Sequence, residues 1–438
     1  MIDYLCSFGW DRDFYVKTCA WLDGDLKRRA VFIDDGSFDG SMEDSRIKKY
    51  VLETPLQIAS FATQIASAAV FCNIEVQDVS GSPYFADFKQ SVELAQRVAN
   101  LCLSDAADWG VSLLQHAKVN LERPFRSVLD MQNAFNGIPA IIVGAGPSLE
   151  KNGHLLENMK RQALVFAGGS ALEKIACTPH FSAYIDPQKV LNPLPFPDVP
   201  LCFQARTHPG ILPQSQGARL LAPDSHFPFL NWLSEDGLFD GGWTVGTFMV
   251  SLAVLWGCNP IVLVGMDYCY ERGRKYAFEG EIKQENLIQA QDCSGRIVWT
   301  QSDWLMAISW MRDIFKKYPD RMFFNATEGG MQSFCPRPLA EMSFQEIPDL
   351  QKTVDRIVQN IELRSCKRWD LWEKSLHRSQ EKIGEEDLEE EIVYQMLLEP
   401  LWRIWKPVFE RETVSPDQLR LHEMLFFQQV IQAHLEAF

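Results

Sequence analysis

Three features of the sequence predict an α/β fold built on a doubly wound parallel sheet. Between residues 138 and 186 the chain repeats a unit of apolar strand, glycine-containing turn and helix. The 21 residues of 246–266 carry no charge, and Gly257-Cys258-Asn259-Pro260 divides them into a helix of about three turns and the strand Ile261-Val262-Leu263-Val264. The N-terminal residues also read as strand, helix, strand. Continuous aliphatic strands alternating with helices are the mark of parallel strands buried on both faces and joined by right-handed crossovers.

Residues 1–135 form the first expected domain. Tyr4-Leu5-Cys6-Ser7-Phe8 is a strand ending on Gly9, a helical stretch follows through Trp21, and Arg29-Ala30-Val31-Phe32-Ile33 is a second strand closed by Asp34-Asp35. An acidic pair at that place is the pattern that holds a cofactor ribose. Gly9 stands alone, however, where a dinucleotide fingerprint has two or three glycines, so a small α/β domain without a bound cofactor is expected. Helices are expected over 57–69 and 88–116.

The second domain, 136–340, opens with Ile138-Pro139-Ala140-Ile141-Ile142-Val143, which runs into Gly144-Ala145-Gly146-Pro147-Ser148 and a helix carrying Leu155, Leu156 and Met159. Ala163-Leu164-Val165-Phe166-Ala167 repeats the unit. It leads through Gly168-Gly169-Ser170 to a helix in which Ser170 and Glu173 have capping-box spacing. A third strand, Phe181-Ser182-Ala183-Tyr184-Ile185, ends on Asp186, and strand 261–264 is followed by Asp267.

Residues 341–438 are expected to be helical. Leu350, Val354, Ile357, Val358 and Ile361 follow helical spacing, as do Leu388, Ile392, Val393, Met396 and Leu397, the second set preceded by the acidic run 385–391 at a helix start. Trp369, Trp372, Trp402 and Trp405 are read as helix-packing residues, and the aromatic-rich helices offer a homodimer surface.

The 438 residues carry 42 Lys+Arg against 58 Asp+Glu, a net charge of −16 that disfavours nucleic acid and anionic lipid as partners. Eleven cysteines without a CxxC pair fit a reducing compartment, and the N-terminus lacks the basic and apolar regions of a signal peptide. A cytoplasmic protein without a membrane span is expected, the Gly-Cys-Asn-Pro turn arguing against a span at 246–266.

The chemistry is expected at the carboxyl ends of the strands, where open α/β sheets bind ligands. At Gly144, Ala145, Gly146, Pro147 and Ser148 a strand-to-helix turn presents backbone N–H groups to an anion, and Gly168, Gly169 and Ser170 are expected beside it. A glycine turn instead of a carboxylate after the second strand of the unit disfavours a nicotinamide cofactor. No GxxxxGK[ST] motif is present, which excludes a P-loop.

These residues resemble a known family. Residues 140–152, Pro179-His180-Phe181 with Ile185-Asp186-Pro187, Gly257 through Asp267, and Asn325-Ala326-Thr327-Glu328-Gly329-Gly330 occur in the order seen in the bacterial motility-associated factor (Maf) flagellin glycosyltransferases and the related MptE-type 6-hydroxymethyl-dihydropterin diphosphokinases. The resemblance implies a Rossmann-like, sialyltransferase-like fold and transfer of a sugar, of nonulosonic type, from a nucleotide-activated donor to an acceptor hydroxyl on a flagellin-like protein or glycan. Asp267 and Glu328 are then the candidate bases. Gly144 to Ser148, Gly168 to Ser170, Asp186, Asn325 and Thr327 are the candidate donor contacts. No cofactor is firmly implied for the transferase. A diphosphokinase instead places ATP, Mg²⁺ and a pterin together, with Asp186 and Asp267 as the carboxylates available for the metal, and a non-catalytic nucleotide- or sugar-binding protein is the third reading.

Overall fold

The computed structural model describes residues 3–34, 44–52, 54, 57–188, 191–234, 237–271, 273–277, 287–332, 334–412 and 415–438. The chain forms two compact units, one of 1–108 with 376–433 and one of 109–375 with 434–438. The boundaries at 135 and 340 read from the sequence do not coincide with this division. The short strand at Arg126–Ser127 pairs into the large sheet, and Leu350, Val354, Val358 and Ile361 are buried in the core under that sheet.

In the first unit β1 (Tyr4–Phe8), β2 (Arg29–Asp34), β3 (Ile47–Val51) and β4 (Ile74–Asp78) form a parallel sheet in the order β3-β2-β1-β4. A Cβ at Gly9 (φ +77°) would stand 2.4 Å from Ser80 Cβ, and Asp34 is buried and ion-paired with Lys49. Asp35 lies outside the described residues. Helices at Ile58–Ala68 and Phe85–Leu121 match the sequence expectation.

The C-terminal reading needs one correction. The acidic run makes a 3₁₀ turn at Glu386–Glu390, and a π-helical turn at Tyr394–Leu398 precedes the α-helix Glu399–Glu412. Instead of serving a helix dipole, buried Glu391 takes Arg378 Nε at 3.0 Å and Lys382 Nζ at 3.1 Å, so the charge is compensated locally. Trp372 and Trp402 are buried, as packing residues should be.

In the second unit β5 (Arg126–Ser127), β6 (Ala140–Val143), β7 (Leu164–Gly168), β8 (Phe181–Tyr184), β9 (Leu201–Gln204), β10 (Arg219–Ala222), β11 (Ile261–Val264) and a final strand β14 (Phe323–Asn325) form one parallel sheet. Its order is β14-β11-β6-β7-β8-β9-β10-β5, and β12 (Ile288–Gln291) pairs with β13 (Ile297–Thr300) as a separate antiparallel hairpin. From β6 the chain walks one way through β7 to β10, then returns to the other side of β6 with β11. The doubly wound reading holds, and its switch point lies between β6 and β11.

All four residues of β6 and of β11 are fully buried. The charge-free run behaves as expected, with a helix at Val245–Leu255 opened by a reciprocal Thr244–Thr247 capping box. Trp256 then fills the core, its ring centroid 4.7 Å from Phe181 and 5.6 Å from Phe166, with Nε1 donating to Val128 O. Among the described residues no helix is long and apolar enough to cross a membrane.

Candidate active site

The switch point brings two turns together, Gly144 to Ser148 after β6 and Gly265-Met266-Asp267 after β11. Their approach is closer than side chains allow. A Cβ on Gly144 would stand 2.4 Å from Gly265 O, one on Gly265 (φ +64°) 2.5 Å from Gly144 O, and one on Gly146 2.0 Å from Asp267 Oδ2. Glycine is therefore required here by the backbone and by one carboxylate.

Asp267 is 2 % exposed. Ser148 Oγ donates to its Oδ2 at 2.6 Å, and among the described residues Oδ1 has no hydrogen-bond partner. Burial pushes the carboxyl up to about 6, against the opposing hydrogen bonds from Ser148. Gly329 stands beside this buried oxygen, where a Cβ would make ordinary contact at 3.6 Å from Oδ1 and 3.5 Å from Lys151 Nζ. Tyr268 (φ 54°) and Glu328 (φ 57°) both hold left-handed backbone, a strain that concentrates at functional sites.

The loop after β14 is stapled around this carboxylate. Met331 N donates to Asp267 O at 2.9 Å, and a Cβ on Gly330 (φ +75°) would lie 2.4 Å from that same carbonyl oxygen. Thr327 Oγ1 accepts from Met266 N, Thr327 N donates to Asn325 Oδ1, and Asn325 Nδ2 donates to Gln332 O. Asn325 and Thr327 are thus buried loop fasteners. Glu328 is exposed, and it is its carbonyl that accepts from Lys151 Nζ at 2.6 Å.

At the expected anion cradle of 144–148 two features of the backbone stand out. Gly144 N donates to Val264 O and Gly146 N to Gly265 O, so these N–H groups serve the junction between the strands. The following helix is only Leu149–Asn152, continued by a 3₁₀ turn and a second four-residue helix, which leaves little macrodipole to attract a phosphate. The turn at 168–170 opens a 3₁₀ helix, Gly169–Glu173, whose N-cap is Gly168 rather than Ser170. A Cβ on Gly168 would stand 2.5 Å from Val245 Cγ2, which makes this glycine a contact for the 245–255 helix.

Asp186 is exposed, its Oδ1 accepting from Gln188 N in a turn. β8 lies three places from β11 in the sheet, which at ordinary strand spacing separates Asp186 from Asp267 by about 14 Å. The pair does not fit one Mg²⁺. Among the described residues no group of three or more His, Cys, Asp or Glu side chains is placed to hold a metal ion.

The sequence reading did not assign a role to a second polar cluster, beyond β9 and β10. Asp224, 1 % exposed at its side chain, has Arg206 Nε 3.1 Å from Oδ2, and the backbone N of His226 donates to its Oδ1. Burial opposes the charge, but Arg206 and the bonds from His226 outweigh it and hold the carboxyl below its usual range. His226 meets Trp243 edge to face with centroids 4.9 Å apart.

Comparison with known proteins bears on this geometry. Residues 111–273 match the family model described as 6-hydroxymethylpterin diphosphokinase MptE-like, a span that includes the 144–148 turn and Asp267. Among solved structures, one described as a Maf glycosyltransferase from Magnetospirillum magneticum AMB-1 is similar with a TM-score of 0.63 and 14 % identity, over 99 % of this chain and 78 % of that one. No curated protein sequence matches the chain. Residues 111–273 thus carry the MptE-like pattern, on a fold similar over nearly the whole chain to that of the Maf glycosyltransferase.

Proposed function

We propose that this protein is a glycosyltransferase that moves a sugar from a nucleotide-activated donor to an acceptor hydroxyl, with Asp267 as the general base. The observation that carries this reading is a buried carboxylate at the topological switch point, one oxygen fixed by Ser148 and the other without a partner. Leaving a buried carboxylate oxygen unsatisfied is costly for stability alone, and a raised pKa suits a base working near neutrality. Glu328, the other candidate, is exposed and lacks such positioning.

In this reaction the acceptor hydroxyl proton passes to Asp267 Oδ1. The acceptor oxygen bonds to the anomeric carbon, and the bond from that carbon to the donor phosphate oxygen breaks with its electron pair on the phosphate. Gly144, Ala145, Gly146 and Pro147, together with Gly168, Gly169 and Ser170, follow β6 and β7 at the carboxyl edge of the sheet, where the donor is proposed to lie. The family match at 111–273 favours a second reading, in which the same carboxylate deprotonates a pterin hydroxymethyl group for attack on ATP.

The test is a panel of CMP-, UDP- and GDP-sugars and ATP, with and without Mg²⁺, followed by thermal shift and by release of the free nucleotide in the presence of acceptor. Stabilisation by a nucleotide sugar, with release abolished in D267N, is expected. Mg²⁺-dependent stabilisation by ATP alone refutes the transferase in favour of the kinase, and absence of any shift leaves a protein that binds none of these donors.

A further inference from the structure

Two chemically different clusters lie beyond the carboxyl ends of the strands, and only the one at Asp267 is used by the reaction above. At the other end, Arg206 follows β9, Asp224 and His226 follow β10, and Trp243 precedes the helix whose first residue, Val245, rests on Gly168 at the end of β7. That contact places Trp243 within two or three strand spacings of Asp267, about 10–15 Å. Both Trp243 and His226 are partly exposed.

Resting on the transferase reading, we propose that Trp243, His226, Asp224 and Arg206 form the subsite that takes the nucleobase of the donor. Three observations support it. First, Asp224 Oδ2 is buried and among the described residues has no hydrogen bond, only the ion pair with Arg206, whose Nε is also shared with Gln204 Oε1 at 3.2 Å. A buried ion pair contributes little to stability by itself, whereas a carboxylate acceptor beside a guanidinium donor matches the in-plane donors and acceptors of a base edge. Second, the partly exposed indole of Trp243, steadied at its edge by His226, offers a π surface for stacking. Third, two N–H groups of the glycine turn, those of Gly144 and Gly146, are spent inside the protein, so a donor gains specificity from contacts farther along the sheet edge.

The test is calorimetric titration of the full chain with CMP, UMP, GMP and AMP separately. The wild-type protein should prefer one base. W243A should weaken that nucleotide tenfold or more and W243F should restore most of the loss. H226A should weaken it severalfold, and D224N should change which base is preferred, an effect that a merely structural role would not produce. Unfolding midpoints of each variant without ligand separate loss of binding from loss of fold, and Trp243 and His226, being partly exposed, keep the test independent of the buried Asp224. Wild-type binding that is unchanged in W243A and H226A overturns the subsite and leaves the transferase reading standing. A wild-type protein that binds none of the four, and no nucleotide sugar, overturns both.

Discussion

Replacing Asp267 by Asn should make the protein more stable and inactive at once, and the stability gain should depend on pH. Burial raises this carboxyl from its ordinary 3.8 to about 6, and a difference of that size corresponds to about 3 kcal/mol at 1.36 kcal/mol per pH unit. Below pH 4 the group is protonated both folded and unfolded and costs nothing. Between pH 4 and 6 the unfolded chain ionises first, so wild-type stability falls as pH rises, and above pH 6 the full cost is present. D267N removes the charge while keeping an acceptor for Ser148. It should therefore exceed wild type by up to about 3 kcal/mol at pH 8, roughly 5–10 °C in Tm, with the gap closing towards pH 4. Transfer activity should fall by about 10²–10⁴, the usual contribution of a positioned base. Thermal or urea unfolding of both proteins at pH 4.5, 6 and 8 measures the gap. A variant less stable than wild type at pH 8, or a gap independent of pH, would show that Asp267 is a structural hydrogen-bond acceptor and refute the reasoning.

Three further outcomes are expected. E328Q should retain activity within about threefold while D267N does not, because Glu328 is exposed and contributes its carbonyl rather than its carboxylate to the Lys151 contact; a loss in E328Q equal to that in D267N would move the base to Glu328. G146A should abolish transfer and cost about 1–3 kcal/mol, since its Cβ would stand 2.0 Å from Asp267 Oδ2 and displace the carboxylate, and normal kinetic constants would mean the turn yields freely. W256A should lose about 3–5 kcal/mol, because it empties a fully buried site among Phe135, Phe166 and Phe181 and orphans Val128 O, as denaturant midpoints will show.

Four strands buried on both faces were legible because their signal is continuous: β6, β7, β8 and β11 are runs of aliphatic and aromatic residues next to glycine or aspartate. The buried β9 and β10, short runs flanked by polar residues, were not read as strands, and the switch point came only with the strand order. Strands with one face in solvent were not legible. β3 reads Ile-Lys-Lys-Tyr-Val and β4 Ile-Glu-Val-Gln-Asp, edge strands whose charged residues break the apolar run, as edges require. The Arg206–Asp224–His226–Trp243 cluster left no trace because its members come from three separate loops and share no spacing. The acidic run before residue 391 misled for a related reason: composition suited a helix start, but tertiary pairing of Glu391 with Arg378 and Lys382 decided the local conformation.

The glycine motif was legible as a site, but its physical meaning changes in three dimensions. Read along the chain, Gly144 and Gly146 look like space for a phosphate. In the fold, Gly144 and Gly265 let two backbones cross, Gly146 clears Asp267 Oδ2, and Gly330 clears the Asp267 carbonyl. Residues from three strand ends, far apart in sequence, are thus small for one reason, which is to seat a single carboxylate in a water-poor junction. A phosphate cradle would leave its N–H groups unspent, whereas here those of Gly144 and Gly146 close the junction and Ser148 adds its hydroxyl to the carboxylate. The pattern therefore specifies the raised pKa of Asp267 more directly than it specifies an anion. Any donor held here must find further contacts elsewhere along the sheet edge, and the Arg206–Asp224 pair with His226 and Trp243 beyond β9 and β10 lies on that edge.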